Sequence, residues 1–271
     1  MKIKTRNAIF TILMFLSLLF LVSSGVFTGI GFYLKILSFP QNIPQSYVHN
    51  FVLLKCNFYA VIASIFIILI YNFVTLLLIN VEFEKTQSTE IVYFVLFLCS
   101  LFMETGRLFT PLLNLWENVS SLEIYITKGL IFGRTVAPLS LLYSVIYSNF
   151  EDRQNVGQNI IGITVFSLFF AKLIPVNTSV VFPIGALKVS FGNLVYTILL
   201  IIFIVAIISM IIKIFQNHLE SKLLFGFILL IAGYFVLIQS FNILTTVTGT
   251  ILLSTGTFMY LKSIHKQYLW N

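Results

Sequence analysis

Residues 223–261 read LLFGFILLIAGYFVLIQSFNILTTVTGTILLSTGTFMYL, thirty-nine positions without a charged side chain. Wound as one α-helix at about 1.5 Å per residue, the stretch is about 58 Å long, against a bilayer hydrocarbon core of roughly 30 Å. It must cross, turn and cross back. Gln239-Ser240-Phe241-Asn242 is its most polar point and the expected place of the turn.

The rest of the chain repeats this pattern. Apolar stretches at about 8–34, 51–80, 91–115, 124–147, 159–175 and 192–215 each approach or exceed the roughly 20 residues that a spanning helix needs. Together with the folded-back pair they give an all-α, polytopic transmembrane helix bundle of about eight spans, or seven if the turn at Ser240 does not form. Composition agrees. Of 271 residues 59% are hydrophobic and 9% charged, where a soluble domain carries about 25% charged. The connections are too short for a soluble module, so residues 1–271 read as a single integral membrane domain. The first stretch, behind Lys2, Lys4 and Arg6, resembles a signal peptide. Its apolar run continues about nine residues past Ser23-Ser24-Gly25, however, longer than such a segment needs, and it reads as an uncleaved span.

Basic residues set the expected orientation. With the N-terminus inside, Lys2, Lys4, Arg6, Lys85, Arg153, Lys213, Lys222, Lys262 and Lys266 fall on the cytoplasmic ends, and Lys35, Lys55, Lys128, Lys172 and Lys188 on the outer ends. That bias favours both termini in the cytoplasm, and the expected location is the cell membrane. Two loops then external carry sequons, Asn118-Val119-Ser120 and Asn177-Thr178-Ser179, a tripeptide too common by chance to weigh much. The net charge of +7 belongs to this topology, since no basic run or basic-aromatic patch marks a nucleic-acid partner.

The chemistry-bearing residues are few. Cys56 and Cys99 sit in apolar runs and behave as small hydrophobes. The histidines His49, His218 and His265 lie at membrane edges. No zinc-protease, nucleophile-elbow or phosphate-loop motif appears, and no cofactor is expected. With one mid-span carboxylate, paired-aspartate proteolysis is excluded. Lys262, at the very end of the last span, is misplaced for a retinal Schiff base.

That one carboxylate stands in FMETGRLF, residues 102–109, with Glu104 and Arg107 one helical turn apart. Each charge costs roughly 2.5–3.5 kcal/mol at a helix centre on insertion scales. An intrahelical pair would neutralise them without any function. The next span, however, carries Arg134. Glu104 lies about 13 residues above the cytoplasmic start of its helix and Arg134 about 13 above the cytoplasmic end of the next, so both sit about 20 Å up. Antiparallel neighbours at matched depth can pair. Lys172 in FFAKLIPVN reaches a similar height, but Pro175 ends the helix soon after, and such a lysine can instead snorkel to the interface.

Glu104, Arg107, Arg134 and Lys172 thus form the candidate site. One acid against two or three bases leaves positive charge in a low dielectric, which an anionic ligand would compensate through the arginine forks. The expectation is an anionic solute or lipid headgroup, bound for transport or sensing from the outer side. The alternatives are an assembly subunit whose charges pair with another membrane protein, and an enzyme acting on lipid-linked substrates with Glu104 as acid or base. Gly25/Gly29 and Gly129/Gly133, each four apart, read as helix-packing pairs. The Thr- and Gly-rich last span reads as a packing face, with a hydroxyl-lined cavity wall as the alternative, and YTILLIIFIVAIISMIIKIF, residues 196–215, reads as apolar all round and facing lipid.

Overall fold

In hydrocarbon every backbone N–H and C=O must be satisfied within the protein, which leaves helices as the only economical form for these long apolar runs. The computed structural model describes residues 3–37, 54–86, 88–116, 121–147, 155–182, 185–217 and 220–269. Lys2, His49, the sequon at Asn118-Val119-Ser120, Arg153 and His218 lie outside them. The helices are α1 (Ile3–Tyr33), α2 (Phe58–Glu82), α3 (Thr89–Leu101), α4 (Phe109–Leu112), α5 (Ser121–Ile146), α6 (Val156–Leu173), α7 (Gly192–Asn217), α8 (Ser221–Ile238) and α9 (Ile243–Leu269). A 3₁₀ segment, Phe102–Leu108, joins α3 to α4 without a break. Counting that run as one, eight helices among the described residues are long and apolar enough to cross a membrane.

The charge-free stretch does fold back. α8 ends at Ile238 and α9 begins at Ile243, and the side-chain Oδ1 of Asn242 accepts from Thr245 N at 2.8 Å, closing the first turn of α9. Turn formation is what a short polar side chain at a helix start does best. One addition breaks the all-α expectation. Past Pro175, β1 (Val176–Phe182) pairs antiparallel with β2 (Ala186–Val189), Val176 opposite Val189 and Phe182 opposite Ala186. The β-branched run VNTSVVF favours a strand once proline has ended the helix.

Cross-links sort the helix ends onto two faces. Arg6 of α1 donates to the carbonyls of Phe83 at 2.7 Å and Glu84 at 3.2 Å, and to that of Thr86; it is a cation at the C-terminal end of α2. Thr89 Oγ1 bonds Tyr147 O, and Lys213 Nζ meets Glu90 Oε1 at 2.8 Å. These mark one face, which holds the N-terminus of α1 and the C-terminus of α9 (the terminal face). On the other, Asn57 N donates to Phe241 O, and Thr110 Oγ1 to Gly185 O at the turn between β1 and β2. This is the hairpin face.

α3 is the centre of the bundle. Ile91, Phe94, Phe97 and Leu98 are fully buried in a core that also takes residues of α1, α2, α5, α7, α8 and α9. The tightest seam is α8 on α9. A Cβ added to Gly226 would lie 2.8 Å from Tyr260 N, and one at Gly249 2.9 Å from Leu237 N; at Gly233 and Gly256 it would run into the backbones of Leu253 and Leu230. The four glycines repeat at seven on each helix, so one face of each is bare backbone. Small-to-large changes in packed seams cost about 1–3 kcal/mol, and backbone yields less than a side chain does. Gly233→Ala is expected to destabilise at the upper end of that range in a thermal melt, whereas Gly129→Ala, with open space around it, is expected to be neutral.

Three expectations from the sequence need correction. α7 does not face lipid on every side: Val195, Leu199, Phe203, Ala206, Met210 and Lys213 form a buried stripe at three- and four-residue spacing. Gly25 and Gly29 meet nothing within 4 Å, so they pack no helix among the described residues. Of the Gly129/Gly133 pair only Gly133 is tightly packed, a Cβ there falling 2.7 Å from Met103 Cβ.

Candidate anion site beneath the hairpin

Glu104, Arg107 and Arg134 meet in the hairpin-face half of the bundle. Arg134 Nε donates to Glu104 Oε1 at 2.7 Å and its Nη2 to Glu104 Oε2 at 3.0 Å, a two-pronged grip. Arg107 Nη1 lies 3.4 Å from the same Oε2. The 3₁₀ segment makes this possible. At three residues per turn, positions i and i+3 eclipse, so Glu104 and Arg107 project along one line towards α5. In a regular α-helix they would diverge by about 60°.

Burial is graded across the cluster. The side chain of Arg107 is 0% exposed, that of Glu104 3% and that of Arg134 10%. Arg134 is the outermost of the three, and its remaining nitrogen, Nη1, makes no hydrogen bond among the described residues. It forms part of the wall of a cavity of about 540 Å³ between α5, β2 and the start of α7. The opposite wall carries Lys188, Ser190, Asn193 and Tyr196. Within the cluster the formal charges are two positive against one negative, so the cavity floor carries a net positive charge.

The start of α7 adds to that sign. Val195 N donates to Phe191 O as the first helical bond, so the amides of Gly192, Asn193 and Leu194 have no partner within the helix. The macrodipole places partial positive charge at the same point. Helix start, Lys188 and Arg134 therefore converge on one space.

The hairpin is fixed over this space by two threonines. Leu187 N donates to Thr127 Oγ1 at 3.1 Å, and Thr110 Oγ1 donates to Gly185 O at 3.1 Å. Gly185 has φ +79°, and a Cβ on it would lie 2.8 Å from the carbonyl oxygen of Arg107. Only glycine accepts both that backbone angle and that approach. Lys128 Nζ donates to Lys172 O at 2.9 Å and to Ile174 O, closing the C-terminal end of α6 on which β1 follows.

Lys172, the fourth residue of the sequence-derived cluster, is not brought in. Its side chain is exposed on α6 and does not line the cavity, because α6 turns Ala171 and Ile174 inward instead. Lys188 occupies the place that Lys172 was expected to fill. In the sequence it appears only as one of the basic ends; the polar run LKVSFGN directly ahead of a long apolar helix was the available signal. Glu123 was also missed. It is fully buried at the start of α5, and both its carboxylate oxygens lack a hydrogen-bond partner among the described residues.

Chemically the site offers guanidinium, ammonium, hydroxyl and amide donors around a positive floor, and its one carboxylate is already held by two arginines. No cluster of metal-ligating side chains occurs among the described residues. No family model, curated protein or solved structure matches the chain.

Proposed function

We propose that the chain is a multi-pass protein of the cell membrane, with both termini in the cytoplasm, that binds an anionic solute or headgroup in the cavity beneath the hairpin for transport or sensing. The observation that carries this reading is Arg134. Its Nε–Nη2 edge is spent on Glu104, Nη1 has no hydrogen-bond partner among the described residues, and the residue lines the cavity, an arrangement in which one guanidinium is oriented by a carboxylate and keeps donors for an anion. Lys188 and the α7 amides supply further donors from the other wall. Of the basic residues used for orientation, Lys4, Lys85, Lys222, Lys262 and Lys266 belong to the terminal face, which supports a cytoplasmic terminal face and an external hairpin.

A second reading rests on the same pair. Glu104 is fully accounted for by Arg134 and Arg107 without any ligand, as in a subunit whose charges serve only to hold the fold, or to meet another membrane protein. The two readings separate on Lys188, whose side chain is exposed and makes no hydrogen bond or ion pair among the described residues. In thermal melts of the purified protein, a panel of inorganic phosphate, diphosphate, carboxylates and anionic lipid is expected to contain at least one strongly stabilising member. Stabilisation reaches about 2.7 kcal/mol at a hundred times Kd. Lys188→Gln is expected to weaken that anion by up to about fivefold, the weight of an exposed ion pair. No stabilising anion, or the same affinity in Lys188→Gln, would sink the binding reading. In intact cells a cysteine at position 188, in a background without Cys56 and Cys99, is expected to react with a membrane-impermeant thiol reagent; protection until lysis would reverse the proposed orientation.

A further inference from the structure

A second cavity, of about 720 Å³, is a groove between α2 and α9 that shares no lining residue with the hairpin site. The two helices run parallel there. Thr246 Oγ1 reaches Ala60 O near both starts, Tyr71 Oη bonds Thr257 Oγ1 at 2.7 Å midway, and the rings of Phe83 and His265 meet edge-on at 5.4 Å near both ends. The walls extend from Ile67 to Glu82 on α2 and from Thr250 to His265 on α9. The fifteen helical rises between those ends amount to about 22 Å, which spans one leaflet of a core of roughly 30 Å and continues into its headgroup layer.

The walls are apolar for most of that length, with Ile70, Val74, Leu78, Leu253, Phe258 and Leu261. The hydroxyls among them are already engaged: Ser254 Oγ donates to Thr250 O and Thr250 Oγ1 to Thr246 O, each at 2.6 Å. Only the end at the terminal face is charged, with Glu82, Lys262 and His265. Lys262 is exposed and lies along the groove. Its ammonium lies 5.5 Å from the centre of the Phe258 ring, one turn back along the groove. His265 turns Nδ1 inward, buried without a hydrogen-bond partner, which leaves Nε2 as the nitrogen available at the groove. No ion pair joins Glu82 to Lys262 among the described residues, so the end presents one separate carboxylate and one separate ammonium.

We propose that this groove is a binding site for one phosphatidylethanolamine molecule of the leaflet on the terminal face. An acyl chain lies along α2 and α9, the phosphate is met by Lys262 and His265, and the primary ammonium by Glu82. The charge pattern selects this occupant. A phosphate alone would leave Glu82 repelling the headgroup, whereas a phosphate joined to a hydrogen-bonding ammonium matches both signs. The quaternary ammonium of phosphatidylcholine matches the charge but cannot donate a hydrogen bond to the carboxylate.

The test is native mass spectrometry of the full chain after delipidation and addition of phosphatidylethanolamine, phosphatidylcholine or phosphatidylglycerol, with thermal melts in parallel. Phosphatidylethanolamine is expected to be retained about fivefold more strongly than either other lipid, the effect of one charge-assisted hydrogen bond at a partly exposed site. Glu82→Gln is expected to lower it to the phosphatidylcholine level, and Lys262→Gln to weaken all three. Val74→Trp fills the groove from an exposed position without touching a polar group, and is expected to abolish selective retention while leaving the lipid-free melt unchanged. Equal retention of the three lipids by the wild type, a preference for phosphatidylglycerol, or undiminished retention in Val74→Trp would each overturn the proposal.

Discussion

Replacing Glu104 by glutamine is expected to destabilise the protein by about 3–5 kcal/mol, the usual cost of removing one partner from a buried ion pair. The carboxylate is the only negative charge between two guanidinium groups, and it accepts from Arg134 through both oxygens and from Arg107 through one. Glutamine keeps the shape but can accept through only one atom, and its amide would point N–H at N–H. Two buried cations would then face each other without an acid. The double variant Glu104→Gln with Arg134→Gln removes one of those cations, so it is expected to recover part of the loss. Melts in detergent or nanodiscs give the three free energies, and the cycle isolates the coupling. Additive losses would mean that the pair does not interact, and a single-variant cost under about 1 kcal/mol would mean that the cluster is solvated like a surface ion pair.

This pairing was legible because helices have a fixed rise. Counting residues from the membrane edge placed Glu104 and Arg134 at one depth, and antiparallel neighbours do the rest; the fold-back at Gln239–Asn242 follows from the same arithmetic. What the counting could not see depends on local geometry or on neighbours far away in sequence. The 3₁₀ segment that aligns Glu104 with Arg107 carries no propensity signal, since METGR is equally at home in an α-helix. Lys172 and Lys188 lie at comparable heights on either side of a hairpin, and which of them faces the cavity is decided by the rotation of α6 and by how β2 docks on Thr127. α7 reads as apolar on every side because hydropathy cannot distinguish lipid from a neighbouring helix; both reward the same residues. The Gly249/Gly256 face was readable as a packing face, but its complement, Gly226 and Gly233, only becomes visible when α8 is laid against α9.

Lys213 is the second place where a large loss is expected, and it was read from sequence as an ordinary cytoplasmic anchor. Its side chain is 5% exposed, and it meets Glu90, 3% exposed, at 2.8 Å across α7 and α3. Lys213→Met removes the ammonium but keeps the apolar stem that packs in the stripe of α7, and it strands the carboxylate. A loss of about 3–5 kcal/mol is expected. Adding Glu90→Gln to it is expected to restore most of that loss, because a buried pair exchanged for uncharged groups of similar volume is often neutral. The exposed pair Lys266–Glu220, with side chains 58% and 47% exposed, serves as the internal control: Lys266→Gln is expected to cost less than about 1 kcal/mol. Lys213 and Gly192 stand at opposite ends of α7, 21 residues and about 31 Å apart, and neither Lys213 nor Glu90 lines the cavity. Anion affinity measured on folded Lys213→Met protein is therefore expected to equal that of the wild type. A change in affinity as well as in stability would mean instead that α7 moves as one body between its two charged ends, and that the Glu90–Lys213 pair helps to set the state in which the cavity beneath the hairpin binds.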